Sequence, residues 1–378
     1  MKNIYIYCQF LLFIFCLISC RKPYEPSVIK ANNKFLVFEG VINIGVNAVT
    51  SISLSRTRNL YDTLPFDPEL FARATIETEG GPSYNLQEQG KGIYRSGALN
   101  LNSSARYRVK IITSDGNQYL SEFVSAKLTP AIDSITWEQD VDGVDIFVDT
   151  HDPQNNTTYY RWEFLETWEY HAEYDTNLGF RNGQIYFRDS SELTHKCWSD
   201  SRSTEILIGT SAKLTEDVIS RQHLTYIPRN TEKIVERYSI LVKQFALTRE
   251  AFEHWQILEK NKRQRGTIFD SQPAQLSENI HCLTNPDEPV IGWVSASSIQ
   301  EKRIFIRNSE VAPWGGGASG PACDVFFIAP TDAAHVLSNP NYAPAYFITG
   351  GGLAITRPRC VDCRLSGNGE PVKPLFWP

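Results

Sequence analysis

Tyr159-Tyr160-Arg161-Trp162-Glu163-Phe164-Leu165-Glu166-Thr167-Trp168-Glu169-Tyr170-His171-Ala172-Glu173-Tyr174-Asp175 is the stretch from which the fold is read. Its even positions carry Tyr160, Trp162, Phe164, Trp168, Tyr170 and Tyr174, and its odd positions carry Arg161, Glu163, Thr167, Glu169, His171, Glu173 and Asp175. A period of two places these sets on opposite faces of one long strand. Two readings follow. One is an aromatic core face backed by a solvated polar face, which a half-covered antiparallel sheet requires. The other is a platform for sugars or peptides, with Trp162, Trp168 and Tyr170 as its contact residues. Both make the protein mainly β.

The flanking sequence extends that pattern. Phe35–Phe38, Ser51–Ser55, Ala74–Thr78 and Tyr107–Ile111 are short β-prone runs. They are separated by the turn signals Gly80-Gly81-Pro82, Gly90-Lys91-Gly92 and Ser114-Asp115-Gly116-Asn117. Strands at this spacing predict a small antiparallel sandwich over 35–129, similar in a generic way to immunoglobulin-like or prealbumin-like modules. Thr129-Pro130 reads as a boundary, and β runs resume at Ile135-Thr136-Trp137 and Val144–Val148. A larger β-rich domain is expected over 130–378, with Ile291–Val294, Arg303–Ile306 and Asp324–Ile328 as further strands. One helix interrupts it at about 248–265. Thr248 can cap its first amides, Ala251, Phe252, Trp255 and Leu258 form an apolar stripe, and Gly266 ends it. Lys260, Lys262, Arg263 and Arg265 suit the negative end of the helix dipole, and an anionic lipid contact is the alternative use.

The N-terminus specifies a location. Lys2 precedes an almost wholly apolar run, Ile4–Ile18, that ends in Leu17-Ile18-Ser19-Cys20. This is the pattern of a secretory signal and is too short for a comfortable membrane span. The ending resembles the lipobox of bacterial lipoproteins. That resemblance implies a signal peptide over 1–19, cleavage before Cys20, and acylation of Cys20 with palmitate-class chains, more than one of which gives stable anchoring. Residues 20–34, with Pro23 and Pro26, read as an extended tether. Arg21-Lys22 stands where some surface-exposed lipoproteins carry acidic residues.

Export puts the remaining cysteines, Cys197, Cys282, Cys323, Cys360 and Cys363, in an oxidising compartment, where disulfides are the expected state. Their number is odd, so at least one stays free or pairs elsewhere. Cys323 with Cys360 or Cys363, and Cys197 with Cys282, are the pairings considered. The Cys360-x-x-Cys363 spacing also admits a metal site with His281, Cys282 or Cys323, or a redox pair. Pro358 and the surrounding glycines place it in a loop.

Other chemistry finds little support. Net charge is −6, which gives no reason to expect nucleic acid. Gly317-Ala318-Ser319-Gly320 lacks the last glycine of a nucleophile elbow. There is no His-Glu-x-x-His, P-loop or calcium-loop motif, so no metal or cofactor is expected. Glu163, Glu166, Glu169 and Glu173 could include a glycosidase pair only if two were held at a fixed distance across a cleft. No catalytic residue is assigned, and the chain is expected not to be an enzyme.

The C-terminus reads Cys360-Val361-Asp362-Cys363-Arg364-Leu365-Ser366-Gly367, followed by Lys373-Pro374-Leu375-Phe376-Trp377. With Ile132–Trp137, Tyr159–Trp162, Cys197-Trp198, Phe269–Pro273 and Gly292–Ser297, it resembles a family of Bacteroidota lipoproteins classed as domain of unknown function 4249. The resemblance implies no activity. It implies a place beside TonB-dependent outer-membrane transporters, as an accessory or substrate-binding partner anchored in the outer membrane and facing the cell surface. The alternatives are a glycan-binding or glycan-active protein using strand 159–175, and an adhesive or envelope-structural protein.

Overall fold

The computed structural model describes residues 34–58, 66–263, 278–312 and 322–378. The segment 1–19 expected as a signal peptide, Cys20 and the expected tether up to residue 33, Gly266, Phe269–Pro273 and the Gly317–Gly320 stretch lie outside these residues.

The architecture is mainly β, and Phe35–Pro378 make one compact unit containing two principal cores. The first core lies within strands Leu36–Gly40, Ser51–Arg56, Arg73–Thr78, Ser83–Glu88, Ile93–Arg95, Arg106–Ile112 and Gln118–Ser121. Their antiparallel registers, such as Leu36 opposite Arg56 and Arg73 opposite Ile112, follow from strict alternation. In Arg106–Ile112, for example, Tyr107, Val109 and Ile111 are buried while their neighbours face outward.

The expected boundary at 129/130 does not separate two bodies. Residues 280–297 return to complete the first sandwich. Ile280–Cys282 pairs with Gln118–Ser121, and Ala296–Ser297 lies between Ile42–Asn43 and Val124–Lys127. Ile280, Cys282, Val290, Val294 and Ala296 join the first core. The physical reason is coverage: without these residues, that core and its edge strands would face water. Thr129 is knit into both regions, since its amide donates to Ser298 Oγ at 2.8 Å and its hydroxyl accepts from the Ala246 amide at 3.0 Å.

Of the segment expected as strand Ile291–Val294, only Ile291 pairs. It forms a parallel bridge with Val37. Gly292 at φ +132° turns the chain away, and its Cα side sits so close to Phe38 that a Cβ would meet the Phe38 carbonyl oxygen at 2.2 Å.

The second core is a sandwich. A three-stranded sheet, Ile132–Gln139, Gly143–His151 and Val218–Pro228, packs on a five-stranded one. The latter runs Lys196–Arg202, Tyr159–His171, Arg237–Ala246, Ile299–Arg307, with Leu207–Thr210 pairing the other end of Tyr159–His171. The helix spans Arg249–Arg263, and Thr248 Oγ1 accepts from the Ala251 amide at 3.2 Å, as an N-cap does. A small C-terminal sheet, Phe326–Ile328, Gly352–Thr356 and Ala343–Ile348, carries a minor core of its own with Leu178, Ala333 and Leu337.

Candidate functional site

Strand Tyr159–His171 turns its even positions into the second core. Trp162, Trp168 and Tyr170 are all buried, so the proposed aromatic platform is core and presents no contact surface. Each polar edge finds a partner there, as buried aromatics require. Trp162 Nε1 donates to Gln244 Oε1 at 2.8 Å, and Gln244 Nε2 donates to Thr150 Oγ1 and to the Pro130 carbonyl. Trp168 Nε1 donates to Glu232 Oε1 at 3.0 Å. The Tyr170 hydroxyl donates to the Cys363 carbonyl and accepts from the Gly369 amide at 2.9 Å. A Cβ at Gly367 or Gly369 would come within 2.8 Å of the Tyr170 ring, so these glycines let the tail lie against it.

Parity also buries a carboxylate that composition alone does not single out. Glu166 occupies an even position among the aromatics and is 4% exposed. Its Oε1 accepts from the Tyr238 hydroxyl at 2.8 Å and its Oε2 from Lys233 Nζ at 2.7 Å. Lys233 Nζ also stands 5.3 Å from the Trp168 ring centre. Burial, reinforced by the Glu166 charge, holds the Tyr238 phenol well above the usual range. Both carboxylate oxygens are thus occupied, which suits a structural ion pair better than a proton donor or nucleophile.

A cleft of about 440 Å³ opens beside Glu166. Its origin is a change of edge partner. Tyr159–Trp162 pairs with Leu207–Thr210, whereas Leu165–His171 pairs with Lys196–Arg202. Between them Ser203 bridges the gap, its amide donating to the Phe164 carbonyl and its hydroxyl accepting from the Phe164 amide. Phe164, Glu166, Ser203, Leu224, Tyr226 and Arg263 are among the lining residues. Lys262, from the same basic helix end as Arg263, donates to the Thr204 carbonyl and pairs with Glu205 at 3.4 Å, so this end shapes the cleft wall. Hydroxyls, a phenol and guanidinium groups give the cleft the chemistry of hydrogen-bonding recognition.

The cysteines divide between the cores. Cys197 bonds Cys363, and Cys323 bonds Cys360, each with Cα atoms 5.8 Å apart. The pairing of Cys197 with Cys282 is therefore replaced. Cys282 lies in the first core as a buried free thiol, and Cys197 lies in the second. Cys360 and Cys363 go to different partners, which leaves neither as a thiolate for a metal or for a redox couple with the other. The tail they hold continues over the outer face of the five-stranded sheet. Trp377 Nε1 donates to Glu169 Oε2 at 3.0 Å and its ring meets Phe305 edge-on, while the Arg303 guanidinium lies 3.6 Å from the Phe376 ring centre.

The comparisons with solved structures are weak and carry no argument. A chain from a study titled for manganese lipoxygenase of Gaeumannomyces graminis and zonadhesin of Komagataella pastoris is 10% identical, with a TM-score of 0.16 over 56% of this chain and 80% of that one. The Yersinia pseudotuberculosis adhesin InvE is 10% identical, TM-score 0.15, over 57% and 55%. A BSP domain of a biofilm-associated protein is 8% identical, TM-score 0.14, over 56% and 55%. The chain thus spans about half the length of the last two. No curated protein matches it. A family match does exist, over residues 21–303, and it stops short of the Cys360–Gly367 box and the Lys373–Trp377 ending. It covers most of the chain, the whole of the first core and most of the second, and so the chain belongs to the family described as Domain of unknown function (DUF4249).

Proposed function

We propose that this protein is an exported lipoprotein, acylated on Cys20, that acts by binding and not by catalysis as the accessory or substrate-binding partner of a TonB-dependent outer-membrane transporter at the cell surface. The observation that carries export is the pair of disulfides, Cys197–Cys363 and Cys323–Cys360, because such bonds form and persist in oxidising compartments. It agrees with the signal pattern and the Leu17-Ile18-Ser19-Cys20 ending. The binding role is supported by the cleft, which sets hydroxyl and guanidinium groups beside the apolar Phe164, Ile206 and Leu207 and whose buried carboxylate, Glu166, is already engaged.

The test has two parts. Labelled palmitate should enter the wild-type protein and not Cys20→Ser, which should leave the membrane fraction. Extraction in mild detergent, with capture by an antibody against the mature chain, should bring down a TonB-dependent transporter identified by mass spectrometry. An unacylated, soluble wild-type protein would remove the anchor, and repeated capture without a transporter would remove the partnership.

A further inference from the structure

Phe71 combines two properties that a folded chain seldom tolerates together. Its φ is +60°, the left-handed region, where an L-residue with a bulky side chain is strained. The residue is 77% exposed, so packing returns little for that strain. The other left-handed residues have evident reasons. Asn47, Asn155, Asn182 and Asn230 are of the type that accepts this conformation, and Lys91 sits in a turn between two glycines. Arg221 is compensated within the fold by a two-pronged pair with Glu138 at 2.6 and 2.7 Å and by stacking on Phe147. Among the described residues, the Phe71 ring has no aromatic or cation contact.

The conformation is held firmly from both sides. The Phe71 amide donates to Glu88 Oε2 at 2.8 Å. The buried Tyr94 hydroxyl accepts from the Ala72 amide at 3.0 Å and donates to the Glu69 carbonyl at 2.8 Å, bracketing position 71. Upstream, the Glu69 amide donates to the Leu54 carbonyl and the Glu69 carboxylate pairs with Arg56. Strain imposed by an over-determined surrounding is characteristic of binding sites. Phe66, in the same loop, is exposed as well.

We propose that Phe71 is a preformed anchor that inserts into an apolar pocket on a partner protein, and, resting on the reading above, that this partner is the transporter. A rigid aromatic set at the surface loses little conformational freedom on docking and is the type of residue that dominates interfaces. The Glu88 carboxylate at its base argues against a bilayer, since a negative charge would have to enter the anionic headgroup layer with the ring. It favours a pocket with a basic rim.

The variants Phe71→Gly and Phe71→Ala separate anchoring from stability. Glycine relieves the strain and removes the ring, while alanine removes the ring and keeps the strain. In antibody capture from mild-detergent extracts, both should lower transporter recovery at least about tenfold. Phe71→Gly should melt at the wild-type temperature or above it. With a benzoyl-phenylalanine photocrosslinker at position 71, the crosslinked partner should be the transporter. Equal recovery with the variants while the wild-type still captures the transporter would overturn the anchor and leave the partnership standing. A melting point several degrees lower in Phe71→Gly, or crosslinks only to lipid or to a second copy of the chain, would also overturn it. Absence of transporter from the wild-type capture would end both.

Discussion

Cys197 and Cys363 are bonded across a sequence separation of 166 residues, fastening the edge strand Lys196–Arg202 to a turn of the C-terminal tail. Beside the bond, the Trp198 amide donates to the Glu370 carbonyl at 2.9 Å and the Glu370 amide donates back at 3.0 Å. The tail therefore caps an open sheet edge with backbone hydrogen bonds while the disulfide keeps it in place, which is one way to block edge-to-edge association.

Cys363→Ser should lower stability by about 2–5 kcal/mol, because a long closed loop withholds much entropy from the unfolded chain. Thermal unfolding with and without reductant checks this. The wild-type melting point should fall on complete reduction, and Cys363→Ser should already show most of that fall. Cys323→Ser, which opens a loop spanning only 37 residues, should have the smaller effect.

Glu166 binds both Tyr238 and Lys233 inside the second core. Glu166→Ala would leave the buried Tyr238 phenol and the half-buried Lys233 ammonium without their shared partner, at a cost of about 3 kcal/mol. Tyr238→Phe removes one partner and leaves the ion pair, so its cost is about 1–2 kcal/mol. Urea denaturation of the two variants should give that order. The reverse order would place the main burden on the phenol.

His195 should make stability depend on pH. Burial, aided by nearby His171 and opposed by Asp175, lowers its pKa below the ordinary 6.5. The folded state then holds fewer protons than the unfolded state just below pH 6.5, so its contribution is present above that pH and is lost as the solution becomes more acid. Melting temperature should fall between pH 7.5 and pH 5. His195→Gln should flatten that part of the profile, whereas an unchanged slope would assign it to other groups.

Gly292→Ala should damage the first sandwich although residue 292 lies far along the chain. A Cβ there meets the Phe38 carbonyl oxygen, and φ +132° disfavours any L side chain. Backbone strain alone costs about 1–3 kcal/mol, and the clash adds to it. Proteolysis under native conditions should cut the variant faster within 35–128 if the returning segment holds that sandwich together.

Several features were legible from residue order because they depend on local periodicity. The alternation in 159–171 gave a strand with one aromatic face, and the Thr248 cap with its apolar stripe gave the helix start. Short β runs and turn glycines gave the mainly β class. Glu166 was legible by the same parity, since it stands at an even position between Phe164 and Trp168, but a carboxylate there is readily assigned to solvent until its partners are seen.

What the chain order alone determined, then, was which residues of a strand share a face, because side-chain direction repeats within a few residues. Only the folded structure decided which strands share a core, which sulfur meets which, and that residues 280–297 belong with the first sandwich. Those choices depend on contacts between residues far apart in the chain, by 37 positions for Cys323 and Cys360 and by 166 for Cys197 and Cys363, and their free energy comes from excluding water between surfaces that local sequence does not identify as mates. The same holds for Phe71: its identity is written in the chain, but its left-handed, exposed and clamped state exists only once Tyr94 and Glu88 close around it.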